Sequence, residues 1–215
     1  MNFYGEGGID KFIRTTFFPL IDCKGFFVEV GAAGPSFLSI SKHFRDSGWN
    51  VISIEPNPYF AKLHREAGNN ILEYACGEID EDNIEFEMVR PKIEGSSGPI
   101  TYESFSAIKV KESYRQNDPE LFARMEIEKI SVNMRHLDTL LLEAGIALID
   151  ILTVDVEGWE LEVLSGLNFN LYSPRVMVVE NWLEDDQYVK KIVDYGYRFV
   201  CRIFPNDVYA KQGNS

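Results

Sequence analysis

The order of apolar runs predicts a doubly wound α/β domain, with a mostly parallel sheet covered by helices on both faces and closed by a C-terminal antiparallel hairpin. Three observations carry that expectation. Short β-branched and aromatic runs alternate with segments of helical periodicity, the first run ends in a glycine-rich turn, and acidic residues stand just past several of the runs. Such alternation is the pattern of an open, Rossmann-like parallel sheet. A chain of 215 residues, 45% hydrophobic and 26% charged, is long enough for one domain with a sizeable core and short for two. Residues 1–215 are therefore read as a single domain, with 1–24 an N-terminal element and about 91–124 a lid or insertion.

The elements follow in order. GFFVEVG at 25–31 is short and apolar and runs into AAGP, so it reads as a buried strand ending in a tight loop. A helix is expected over 36–47, with Phe37, Ile40, Ser41 and Phe44 along one face and Gly48 as its stop. VISIE at 51–55 is the second strand, and Pro58 suits the first turn of the helix behind it. ILEYAC at 71–76 is the third strand. Past IEFEM at 84–88, residues 91–119 carry GSSGP and scattered charge with little periodicity, which reads as a lid rather than a linker. Alternation resumes at 128–132, and 137–144 looks helical, with Gly145 beyond its end. A strand at 149–155, a helix at 159–166, a strand at 176–180 and a helix at 185–195 continue the pattern. Residues 197–204 and 207–210, joined through Pro205 and Asn206, read as the closing hairpin.

Charge narrows the partners. Lys and Arg number 21 against 34 Asp and Glu, for a net charge of −13. Phosphate backbones and anionic membranes are bound chiefly by Lys and Arg, so neither nucleic acid nor a membrane surface is expected as a partner. A small ligand is expected instead. The three cysteines, Cys23, Cys76 and Cys201, form no paired motif, no basic-then-apolar leader opens the chain, and no apolar run approaches bilayer length. A cytoplasmic location is the expectation.

In a doubly wound sheet the ligand crevice lies beyond the carboxyl ends of the strands. After the first strand, Glu29, Gly31, Ala32, Gly34 and Pro35 form a turn of small residues that lets backbone approach a ligand, with an ordinary tight turn as the plain alternative. Ala33 and Ser36 break the GxGxxG spacing, which weakens a nicotinamide-dinucleotide site. Glu55, at the end of the second strand, is placed to accept hydrogen bonds from ribose hydroxyls; a solvated acid favouring the next helix is the alternative. Cys76 and Gly77 stand where an adenine ring would lie, or Cys76 is a small buried apolar residue. The fourth strand ends in Asp155, Glu157 and Glu160 around Gly158, and the fifth in Glu180, Asn181 and Trp182. Asp155, Glu180 and Asn181 are hard oxygen ligands able to hold Mg²⁺; a network orienting the loops is the competing reading.

With these residues in view, the chain resembles the FkbM family of S-adenosylmethionine-dependent methyltransferases. The matching stretches are FVEVGAAG at 27–34, IEPNP at 54–58, LDTL at 137–140 and LTVDVEGWELEVLSGL at 152–167, the last being the most specific. The resemblance implies a class I methyltransferase-like fold and an O-methyltransferase acting on a hydroxyl of a sugar, glycan or small natural product. It implies that Glu29, Gly31 and Ala32 line the methionine part of the cofactor, that Glu55 holds the ribose and Asn57 sits near it, and that Cys76 and Gly77 flank the adenine. Asp155 and Glu157 would border the sulfonium and the acceptor. Tyr4, Gly5, Glu6 and Asp10 are similar to the N-terminal element that closes over the cofactor in this family. Pro35, after Gly34, stands where the family more usually has glycine, which implies other donors for the cofactor's carboxylate, such as Ser36 or that element. The trio Asp155, Glu180, Asn181 is also similar to the magnesium set of catechol-type O-methyltransferases, although Gly158 stands where those have a lysine base.

Three bases are candidates for taking the hydroxyl proton, in the order Asp155, Glu157, His136. Tyr102, Phe105, Tyr114 and Phe122 are expected either to stack on an acceptor ring or to pack within the lid. The competing functions are an NAD(P)-dependent oxidoreductase or epimerase on a similar sheet, and a non-catalytic cofactor-binding module.

Overall fold

A computed structural model describes residues 1–20, 22–92 and 102–213. Its main sheet has seven strands in the order β3-β2-β1-β7-β8-β10-β9. These are β1 (Phe26–Val30), β2 (Asn50–Ile54), β3 (Ile71–Leu72), β7 (Ile151–Val154), β8 (Val176–Glu180), β9 (Tyr197–Ile203) and β10 (Asn206–Lys211). The first five run parallel, and β10 lies antiparallel between β8 and β9. The doubly wound sheet with its closing hairpin is thus as expected. Strand order reverses between β1 and β7, so the crevice opens at the carboxyl ends of these two strands.

Each central strand buries both faces, and side chains alternate between them. Phe27, Val51, Ile151 and Val178 pack with Ile9 and Ile13 of α1 (Ile9–Phe17) and Phe44 of α2 (Ile40–Asp46). Val28, Ile52, Leu152 and Val179 pack on the other side with Leu137 and Leu141 of α6 (Leu137–Glu143), Val163 of α7 (Glu160–Ser165) and Ile192 of α8 (Asp186–Asp194). The N-terminal element is therefore more than a cover: its helix α1 forms part of the core on one face of the sheet.

Three expectations change. The helix expected over 36–47 begins only at Ile40, where Ser39 caps it by accepting from the Lys42 backbone N–H. Ala33 and Leu38 take left-handed backbone (φ 42° and 54°), which holds 34–39 as a loop and leaves Phe37 exposed. The strand expected over 71–76 is split: β3 stays in the main sheet, while β4 (Ala75–Cys76) joins a second, three-stranded sheet in the order β4-β6-β5. The expected lid is not all loop: it carries short helices and rises from strands longer than the runs at 84–88 and 128–132. β5 (Glu81–Pro91) and β6 (Met125–Arg135) form a long antiparallel pair. Its tip carries a 3-10 turn, Tyr102–Phe105, then α4 (Glu112–Asn117) and α5 (Pro119–Phe122). The GSSGP motif lies outside the described residues.

The remaining helix, α3 (Pro58–Glu66), starts as expected: Asn57 caps it through a side-chain bond to the Tyr59 N–H, and Pro58 occupies its first turn. No helix among the described residues is long and apolar enough to cross a membrane.

Candidate active site

A cavity of about 650 Å³ opens at the carboxyl ends of β1, β2, β7 and β8. Two loops meet at its base. Gly31 (φ 77°) follows β1, and its N–H and that of Ala32 donate to the Ile54 carbonyl at the end of β2. A Cβ at Gly31 would overlap the carbonyl oxygen of Asp155, so only glycine lets the loops after β1 and β7 approach this closely. Gly31, Ala32, Gly34 and Ser36 all line the cavity.

Glu29 and Glu55 sit beneath this turn, both nearly fully buried. Glu29 accepts from the Ser41 hydroxyl (2.7 Å) and the Ser53 hydroxyl (3.0 Å), with Arg45 at 3.9 Å. Burial still raises its carboxyl above the usual range. Glu55 accepts from the Ala33 N–H (2.9 Å) at one oxygen and the Asn57 N–H (2.8 Å) at the other. Burial pushes this carboxyl up to about 7 despite those donors, and Glu29 adds to the push. Each Glu55 oxygen thus keeps one lone-pair direction for a ligand hydroxyl, the anchoring donors fixing its orientation.

The acids after β7 and β8 form a second group. The donor oxygens of Asp155, Glu157 and Glu180 lie within 4.8 Å of one another. Burial, with help from the Glu160 charge, pushes Asp155 up to about 7, against a hydrogen bond to Glu180. Burial and the neighbouring acids hold Glu157 and Glu180 well above the ordinary carboxylate range. Burial and mutual repulsion thus work against ionising all three carboxyls at once. Glu157 has φ 58°, and its Oε2 is buried without a hydrogen-bond partner. Glu160 points back under the loop, accepting from the Val156 N–H (3.0 Å), the Gly158 N–H (2.9 Å) and the Tyr188 hydroxyl (2.6 Å). It holds the segment that presents Asp155 and Glu157.

Other expected site residues lie elsewhere. Asn181 does not join Asp155 and Glu180. Its amide donates to the Asp185 carbonyl and Asp207, and its oxygen accepts from the Asp185 N–H, so the side chain is committed to the turn after β8. The third oxygen donor beside Asp155 and Glu180 is Glu157. His136 is not among the cavity-lining residues: its ring is bound to the Glu78 carbonyl and its backbone N–H donates to Asp80, at the entry to α6. Cys76 lines the cavity, and burial keeps its thiol protonated. Gly77 does not line it; a side chain there would strike Met134. Asn57 also lies behind the lining, fully buried as the cap of α3.

The outer wall is aromatic. Phe105 and Trp182 line the cavity with their ring centroids 5.9 Å apart, and Phe122 packs behind Phe105. Tyr114 does not present a ring to the cavity. It stacks edge-on against Trp182 (4.8 Å) and donates its hydroxyl to Glu180 (3.3 Å). The side chain of Tyr102 lies outside the described residues. Glu6 of the N-terminal element also reaches the cavity, and burial raises its carboxyl. The contacts of Tyr114 with Glu180 and of Tyr188 with Glu160 carry no local signal, because each joins residues far apart in the chain.

A sheet of this order, with an acid under the turn after β1 and another past β2, is that of a doubly wound α/β protein with its ligand crevice at the carboxyl ends of the strands, consistent with a methyltransferase-like fold. The model of the methyltransferase FkbM domain matches residues 29–199, most of the chain, and the chain belongs to that family. No curated protein matches the chain.

Proposed function

We propose that the protein is an S-adenosylmethionine-dependent O-methyltransferase whose acceptor hydroxyl belongs to a sugar, glycan or small natural product. One observation carries this reading: Glu55, buried and oriented by the Ala33 and Asn57 N–H groups, opens onto the same cavity as the Asp155–Glu157–Glu180 cluster. The first acid suits ribose hydroxyls and the second a reacting hydroxyl.

The residues fit the cofactor. Small residues leave backbone exposed at the turn after β1, Cys76 offers an apolar edge, and Glu29 and Glu55 supply negative charge. When bound, S-adenosylmethionine supplies an electrophilic methyl group on a positively charged sulfonium. Glu55 would hold the ribose hydroxyls, Glu29 with Gly31, Ala32, Gly34 and Ser36 would frame the methionine end, and Cys76 would lie against the base. Phe105 and Trp182 exclude water and position the acceptor ring, which converts an encounter into an aligned reaction. Asp155 accepts the acceptor's hydroxyl proton. Its carboxyl, raised to about 7, is near the range in which a base both stays deprotonated and pulls on a proton at neutral pH.

The reading is tested by transfer of labelled methyl from S-adenosylmethionine into a panel of sugars and hydroxylated natural products. Wild-type protein is expected to label at least one acceptor at oxygen. The variant Asp155→Asn should lose about 10²- to 10⁴-fold in kcat while still binding S-adenosylhomocysteine. Unchanged kcat in that variant would remove Asp155 as the base.

A further inference from the structure

We propose that the acceptor hydroxyl is phenolic, borne on an uncharged aromatic ring that lies against Phe105 and Trp182; this rests on the methyltransferase reading above and names the substrate class of the same site. The insertion between β5 and β6 adds Phe105, Ala107, Ile108 and Leu121 to the cavity wall. Phe105 meets Trp182 of the loop after β8 with ring centroids 5.9 Å apart, and both side chains are half-buried. This wall stands beside the acids past β7 and β8. Trp182 is two positions beyond Glu180, and Tyr114 touches both, packing edge-on against Trp182 (4.8 Å) and donating its hydroxyl to Glu180 (3.3 Å). A planar ring on Phe105 and Trp182 gains offset or edge-on aromatic contacts and carries a hydroxyl on its rim toward Asp155.

The polar side chains of this wall are poorly placed to read a sugar. Ser106 accepts from the Val89 N–H (3.0 Å) and donates to the Glu103 carbonyl (2.6 Å), and Asp118 accepts from the Leu121 N–H (3.0 Å), so both are spent on the protein's own backbone. The Trp159 indole N–H is given to the Lys109 carbonyl (2.9 Å). A pyranose bears a hydroxyl on most of its carbons, and each one taken from water needs a partner. No Lys, Arg or His lines the cavity among the described residues, so a phosphorylated or nucleotide-linked acceptor has no cation to pair with. The chemistry favours the same class. A carboxylate is a weak base, and a phenol, which titrates near 10 as tyrosine does, yields its proton far more readily than an aliphatic alcohol. The phenol oxygen bonds the methyl carbon as the methyl–sulfur bond breaks. Its proton passes to Asp155, and the electron pair of the broken bond stays on sulfur.

The test compares β-naphthol, β-decalol (the same skeleton with an aliphatic hydroxyl) and methyl glucoside. Each is titrated calorimetrically into protein saturated with S-adenosylhomocysteine, and each is offered as acceptor of labelled methyl from S-adenosylmethionine. β-Naphthol is expected to bind at least about tenfold more tightly than methyl glucoside. It is also expected to be methylated at oxygen on the order of a hundredfold faster than β-decalol. Trp182→Leu should weaken β-naphthol binding about two- to tenfold, the size of one aromatic contact, while keeping its affinity for S-adenosylhomocysteine, which also shows that the variant is folded. Phe105→Leu, on the insertion, should do the same and serves if the first variant does not fold. β-Naphthol binding no tighter than methyl glucoside, no methyl transfer to β-naphthol, equal transfer to β-decalol, or undiminished affinity in both variants would each overturn the proposal. Any of these results with S-adenosylhomocysteine bound removes the phenol assignment alone, whereas failure to bind it removes the methyltransferase reading.

Discussion

Glu55 shows how a single side chain is placed by its neighbours rather than by its own preferences. Its two oxygens take one backbone N–H from the loop after β1 and one from the cap of α3, so the carboxylate is fixed before a ligand arrives. Glu55→Gln keeps the size but turns an amide N–H₂ toward one of those donors. The variant is expected to bind S-adenosylhomocysteine about tenfold or more weakly, measured by isothermal titration. Unaltered affinity would show that Glu55 does not hold the ribose. This residue was legible in the sequence because a strand end is a local feature and the glycine turn before it marks the crevice. Asp155 was legible for the same reason. Asn181 was not, since which way a side chain turns after a strand depends on Asp207 and Asp185, and Asp207 comes from the hairpin strand β10.

The segment 155–159 is held in a strained shape by a helix it precedes. Glu157 and Gly158 both have positive φ, 58° and 93°, and Glu160 at the start of α7 ties the Val156 and Gly158 backbone N–H groups on either side of Glu157 to Tyr188 of α8. Tyr188→Phe leaves a buried Glu160 oxygen with one donor fewer. Chemical denaturation is expected to show a loss of about 1–3 kcal/mol, and a variant as stable as wild type would show that the tie is dispensable. The β5–β6 pair illustrates what the sequence conceals at this scale. Both strands alternate weakly because charged residues stand on exposed positions and pair across the strands, as Lys129 does with Glu85 and Arg90 with Glu128. Without a clean apolar face the period-2 signal fades, so only 128–132 reads as alternating and the full length of the pair and its pairing go unseen. The late start of α2 was hidden likewise: Phe37 has helical spacing from Ile40 and Phe44, yet it borders the cavity instead of the core.

At the scale of the whole molecule, the sheet, its crossover and its hairpin follow from runs that are apolar on both faces, and these are the parts read correctly from sequence. The net charge of −13 takes on a more specific sense, since acids gather along one crevice, the one in which the proposed function seats a positively charged cofactor. Those buried acids oppose the fold when they ionise. Glu55 holds its proton to about pH 7 when folded against 4.5 as its ordinary value, so between those limits the folded state binds more protons than the unfolded one. Stability of the ligand-free protein is therefore expected to fall as pH rises from about 5 to 8, by on the order of 3 kcal/mol from this group. Glu29 acts in the same direction. Denaturant midpoints that rise or stay level across that interval would contradict this. The most direct test of the central claim is thermal stability with S-adenosylhomocysteine and, separately, with NAD. At about 100 times its Kd, S-adenosylhomocysteine should stabilise the protein by about 2.7 kcal/mol and NAD should leave it unchanged; a shift with NAD and none with S-adenosylhomocysteine would contradict the account.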